Sequence, residues 1–151
     1  MSIPKTQLSV IALILIAIAL SATTYGAISV NKSLSSIGSI SVTPNLSLYS
    51  DSNCTNSLST LNWGEITPGN SLTRTLYVKN TGTGTSLTLN ISTSNWNPTN
   101  ANGPITISWD KEGTQLAPGQ STKAVITLTT ESSIVDVTDF SVQILISGTD
   151  Q

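Results

Sequence analysis

The residues from which chemistry could be built are few in this 151-residue sequence: eight acids, one cysteine, no histidine and four asparagines in N-x-S/T sequons. The acids form two close pairs, Asp110/Glu112 and Asp136/Asp139. Two carboxylates across a cleft can act as acid and base in hydrolysis, or contribute to a Ca²⁺ site, which needs about six or more oxygens. Both pairs fall at predicted strand ends, where solvated loop acids are the expected reading. Without histidine the usual Ser/His and Cys/His nucleophile systems are excluded, as is imidazole ligation of a metal. Cys54 has no partner for an intramolecular disulfide. Its neighbours Asp51, Asn53 and Thr55 supply neither the base nor the cation that would lower a thiol pKa. No phosphate-binding glycine loop occurs, because GTGT at 82–85 lacks the lysine and the following helix. The expectation is a non-enzymatic protein with no cofactor and no metal. The remaining chemistry is N-glycosylation at Asn31, Asn45, Asn53 and Asn90, which matters only on an exported chain.

Composition narrows the partners. Six basic residues against eight acidic ones give a net charge of −2, and 9% of residues are charged. Nucleic-acid binding needs clustered Lys and Arg to displace counterions, so no nucleic acid is expected. Serine and threonine together make up roughly a third of the chain, well above average usage. Polarity therefore comes from hydroxyls and amides, which suits the solvent faces of β-strands.

The amino terminus is of another kind. Residues 8–20 read LSVIALILIAIAL, and no charge occurs between Lys5 and Lys32. The unbroken apolar core has the length of a signal-peptide h-region, and the wider stretch from Leu8 to Val30 is long enough to cross a bilayer. Lys5 keeps this end cytoplasmic. Residues 1–26 are thus expected to be a signal peptide or a transmembrane helix, with the rest of the chain outside the cytoplasm.

From Ile37 onward the apolar period is two. SLTRTLYVK, SLTLNIS, ITISW, KAVITLT and FSVQILI each alternate, as half-buried strands do. Turn residues separate them: Pro68-Gly69, Asn80-Thr81-Gly82, Asn97-Pro98, Asn102-Gly103-Pro104 and Pro118-Gly119. Trp63, Trp96 and Trp109 are expected to anchor the centre. The fold class is all-β: an Ig-like antiparallel β-sandwich of about seven strands, preceded by one N-terminal hydrophobic helix. A Pro-Gly phrase occurs twice, fifty residues apart, and each copy is predicted to be a type II turn that feeds a strand.

The phrase LNWGEITPGNSLTRTLYVKNTG, followed by SLTLNIS and LAPGQSTKAVITL, resembles the immunoglobulin-like domains of the ASPM/Hydin and CARDB kind over roughly residues 61–148. The layout of hydrophobic leader, short extended segment, Gly-led strand GSISV and Pro-Gly strand resembles the TasA/camelysin family, and archaeal bundling pili are similar. That resemblance implies a secreted sandwich that assembles into fibres, with the segment after the leader inserted as a strand into a neighbouring subunit. The leader is also similar to those of archaeal type IV pilins, whose hydrophobic helix lies in the filament core. The site corresponding to their processing point, Lys5-Thr6 before Gln7, departs from the charged-residue-then-Gly/Ala pattern.

Residues 27–43 carry Ile28, Val30, Leu34, Ile40 and Val42 at even positions, so an extended chain puts them on one face. Residues 27–37 are expected to be an extended tether or donor strand, with Ile28, Val30 and Leu34 as candidate donor side chains. Residues 38–151 are the sandwich, with Ile40 and Val42 in its own first strand. The function implied is a cell-surface structural subunit of a fibre or pilus whose partner is itself. The alternatives are a membrane-anchored adhesion or binding module that meets other surface proteins, and a type IV pilin-like subunit.

Overall fold

The computed structural model describes residues 34–43, 45–134 and 136–150. The expected N-terminal helix, with Ile28, Val30 and Asn31, lies outside the described residues. Among those described, the chain is all-β. Nine strands run in order: β1 (Leu34–Val42), β2 (Leu46–Tyr49), β3 (Thr60–Ile66), β4 (Ser71–Asn80), β5 (Leu87–Asn97), β6 (Ile105–Trp109), β7 (Gln115–Leu116), β8 (Ser121–Thr130) and β9 (Asp139–Asp150). One 3-10 turn, Thr99–Ala101, follows β5. Two sheets form, ordered β3-β1-β9-β5-β7 and β2-β4-β8-β6. Among the described residues no helix is long and apolar enough to cross a membrane.

The alternating runs put one side chain in two into the space between the sheets. β9 contributes Phe140, Val142, Ile144 and Ile146; β8 contributes Ala124, Ile126 and Leu128; β4 contributes Leu76 and Val78. Each of these buried side chains larger than alanine stabilises by about 1.5–3 kcal/mol. Trp63 is buried, and Trp96 stacks on Phe140 with ring centroids 6.0 Å apart. Trp109 departs from the expected central place: it is half-buried at the end of edge strand β6, with its Nε1 donating to Glu112.

The two Pro-Gly phrases prove to be one device used twice. Gly69 and Gly119 have φ of +82° and +75°, the left-handed values that type II turns demand. The turn bonds run from Asn70 N–H to Thr67 O and from Gln120 N–H to Ala117 O. The strands they feed, β4 and β8, pair antiparallel from Ser71↔Thr129 to Lys79↔Ser121. Each turn therefore lies at the far end of the other strand. Thr130, which ends β8, donates its N–H to Asn70 O and its hydroxyl to Thr67 O and Asn70 O. Asn80, which ends β4, donates its N–H to Gln120 O and accepts from Gly119 N–H.

The expectation of about seven antiparallel strands is corrected in two respects. β2 and β7 are additional strands of four and two residues; β2 alternates over only its four residues and β7 is too short to alternate at all. β1 is antiparallel to β3 but parallel to β9. It also begins at Leu34 rather than at residue 38, because its inward positions 36 and 38 are serine and glycine, which interrupt the apolar pattern without interrupting the strand.

Asn80 is fully buried, and its Nδ2 donates to Thr85 O at 3.1 Å and Leu116 O at 3.0 Å, while its Oδ1 accepts from Gly82 N–H at 2.9 Å. It ties the β4–β5 loop to β7. Asn80→Leu leaves those buried partners unsatisfied and is expected to cost about 2–4 kcal/mol. Urea denaturation checks this as a lower midpoint with an unchanged slope.

Candidate functional site

The chain's N-terminal described strand is not at an edge. β1 sits between β3 and β9, bonded to β3 from Leu34↔Ile66 to Ser39↔Thr60 and to β9 from Ser35↔Asp139 to Val42↔Ile146. A strand inside a sheet has both rows of backbone groups paired, so its seat is a slot lined by two ladders. Inward it presents Leu34, Ser36, Gly38 and Ile40. Leu34 and Ile40 together contribute about 3–6 kcal/mol of burial. The hydroxyl of Ser36 is buried with no partner, which takes back about 1–3 kcal/mol. Backbone pairing, more than side-chain burial, holds β1.

The slot is shaped by a bulge in β3. Ser36 pairs with Gly64 but Ile37 pairs with Asn62, leaving Trp63 as the additional residue. Gly64 has φ +75°, and its N–H is taken by Asn62 Oδ1 at 2.9 Å. The Trp63 indole is buried and its Nε1 has no partner. Its carbonyl accepts from Arg74 Nη2 at 2.6 Å, that of Asn62 accepts from Arg74 Nε at 2.9 Å, and the guanidinium carbon lies 5.8 Å from the indole centroid. β3 is an edge strand, so Arg74 occupies carbonyls that an incoming strand would use. Outward, β1 exposes Ile37, the one large hydrophobic side chain more than half exposed among the described residues, at 58%. Open, shallow depressions flank it, lined by Ser35, Asn97, Ser141 and Gln143 among others.

The residues singled out in the sequence are dispersed. Leu34 is fully buried in β1. Asn45 is exposed at φ +68° beside Gly82. Asn53 is exposed in the loop after β2, whereas Asn90 is half-buried in β5 with its amide over Thr88 O at 3.4 Å. The acid pair Asp110/Glu112 closes strand ends. Asp110 Oδ1 accepts Val125 N–H at 2.8 Å, and Lys111 pairs with its other oxygen at 3.0 Å. Partial desolvation pushes this carboxyl up, but the Val125 N–H and Lys111 outweigh it and hold it below the ordinary range. Glu112 Oε2 accepts Ile91 N–H at 3.1 Å and Trp109 Nε1 at 2.8 Å, capping the open edge of β5. Asp136 has φ +58°, and Asp139 begins β9 opposite Ser35. Among the described residues no three metal-ligating side chains converge. Cys54 lies in the 51–56 turn, partly exposed.

Sequence reasoning missed Ser36, Trp63 and Arg74 as parts of one seat. The Trp-Gly pair at 63–64 and the Gly-led GSISV strand were visible signals, but nothing in the sequence brings them face to face. No protein-family model matches the chain, and no curated protein or solved structure matches it either.

The loop carrying Asn53 is organised by Asp51, whose carboxylate accepts Asn56 N–H at 2.7 Å and the N–H and hydroxyl of Thr55. The Asn56 bond, opposed by some desolvation and assisted by Thr55, lowers the Asp51 pKa from 3.8. A depressed folded pKa gives stability that is complete above the unfolded value and is lost as pH falls through the folded value. The amides of Thr55 and Asn56 are expected to lose protection, measured against their intrinsic exchange rates, as pH falls below the ordinary carboxylate value and through the lowered Asp51 pKa. Asp51→Asn should remove that pH dependence, as amide exchange measured by NMR would show.

Proposed function

We propose that this chain is a non-enzymatic cell-surface structural protein: an Ig-like sandwich, exported by its N-terminal hydrophobic segment, that assembles into a fibre or pilus by strand donation between copies. The observation that carries the reading is the position of β1. It is the first described strand and occupies an interior slot rather than an edge. An interior strand supplied from another copy keeps all its ladder bonds, since both grooves and strands are identical. The ladder bonds and the burial of Leu34 and Ile40 would be the same whether the strand comes from its own chain or from a neighbour's, which supports exchange. Arg74 and Glu112 support it too, by guarding the β3 and β5 edges against unspecific pairing while the interior slot stays the route of association. The polar, weakly charged surface and the scattered carboxylates give no support to a catalytic role.

On an exported chain, Asn53 is the described sequon best placed for a glycan, being exposed in a loop, and Asn90 the worst placed. Mass spectrometry of protein from its native source is expected to find sugar on Asn53 in preference to Asn90. The fibre reading is tested by electron microscopy and sedimentation of purified full-length chain over a concentration series. Filaments that pellet above a threshold concentration are expected; monomers persisting at high concentration would overturn the reading. A mature terminus near Ala27 would accompany a fibre subunit, whereas retention of residues 1–26 would favour the anchored module.

A further inference from the structure

We infer that Gly38 and Trp63 form a register lock, which makes the slot between β3 and β9 specific for one strand in one alignment: residues 34–42 of this chain or of a second copy. The intermolecular half rests on the strand-donation reading; the lock itself acts equally on the chain's own β1.

The lock follows from shape. The β3 bulge turns the Trp63 indole inward opposite the middle of β1. A Cβ built on Gly38 would lie 3.3 Å from Trp63 Nε1, 3.6 Å from Ile144 Cδ1 and 3.7 Å from the Leu61 carbonyl oxygen. Glycine is the residue that leaves the indole its room. The flanking inward positions are matched to this alignment, with small Ser36 on one side and Ile40 on the other, and Leu34 beyond.

A slip of one residue would turn every inward side chain out, so the competing alignments are slips of two. One puts Ser36 against the indole, moves Gly38 to the site of Ile40 and leaves that site empty. The other drives Ile40 into the indole and withdraws Leu34 from its buried place. Each loses a buried aliphatic contact and adds atoms where there is least room. No alignment using the upstream tether escapes this, because Gly38 is the sole glycine between residues 27 and 63. Trp63 Nε1 and Ser36 Oγ both lack hydrogen-bond partners, so discrimination comes from fit and not from a polar contact. The partner recognised is a strand of pattern L-x-S-x-G-x-I, which makes the association homotypic.

Full-length chain in a Cys54→Ser background tests this by disulfide trapping. Ser39 and Gln143 are aligned neighbours in the parallel β1–β9 ladder, within the Cα separation a disulfide spans. Within one chain, Ser39→Cys with Gln143→Cys is expected to oxidise, while Ile37→Cys or Ser41→Cys with Gln143→Cys, which report the two slips, are not. Adding Gly38→Val is expected to abolish the 39–143 crosslink, and adding Trp63→Leu to Gly38→Val is expected to restore it. Retention of the crosslink at the original yield in Gly38→Val, or equal oxidation of the slipped pairs, overturns the lock. For the intermolecular half, Ser39→Cys is placed on one copy and Gln143→Cys on another. A disulfide-linked dimer is expected; it is lost when Gly38→Val is on the Ser39→Cys copy and kept when Gly38→Val is on the Gln143→Cys copy. An intact intramolecular pattern with no intermolecular dimer would overturn strand donation while leaving the lock standing.

Discussion

The sheet that carries most of this fold is complete only because one strand fills a slot between two others. Without β1, the inward side chains of β3 and β9 would lack their neighbour, and two rows of backbone N–H and C=O groups would lie open along β3 and β9. Unpaired backbone groups next to an apolar core are costly, so the slot must be filled by some extended segment. That necessity, more than any side-chain chemistry, gives the N-terminal strand its importance. The same constraint accounts for the unusual composition of β1, which contributes backbone and small side chains where most core strands contribute bulk. Trp63 makes good the missing volume from the other side of the ladder.

The opposite sheet is organised by repetition. Two Pro-Gly turns feed β4 and β8, and each turn bonds the last residue of the other strand, Thr130 or Asn80. These are two of the three buried polar residues among those described, and both are satisfied. The third, Ser36, is not satisfied in its side chain. The sandwich thus joins a sheet closed by matched hydrogen bonds to one whose central strand is held by its ladders and its shape. The edges are treated with comparable care, Arg74 covering carbonyls of β3 and Glu112 capping β5.

Much of this was legible in the sequence. The strands with strict alternation, β4, β6, β8 and β9, could be read from period two alone, and the Pro-Gly turns from the φ values those residues favour. The start of β1 could not, since Ser35 and Ser36 ahead of the Gly-led GSISV run look like linker residues until β3 and β9 are seen to pair on either side of them. β2 alternates over only four residues, and β7 is too short to carry a period. Trp109 had the composition of a core anchor, but its place was decided by β6 being an edge strand, which is a property of sheet order. The site was less legible than the fold. The apolar side chains Leu34 and Ile40 mark the strand, but the packing of Gly38 against Trp63 depends on a bulge and on a contact 25 residues apart in sequence. Arg74 and Glu112 read as surface charges until their acceptors and donors are located.

The central claim is that residues 34–42 are a seated interior strand, whichever copy supplies them. Native-state amide hydrogen exchange on the full-length chain tests it most directly, because an interior strand has both edges protected. The account predicts that the amides of Ile37 to Ile40 exchange as slowly as those of β4 and β8. Exchange as fast as that of the loop at 51–56 would show that β1 is not seated in the sheet, and the account would fail.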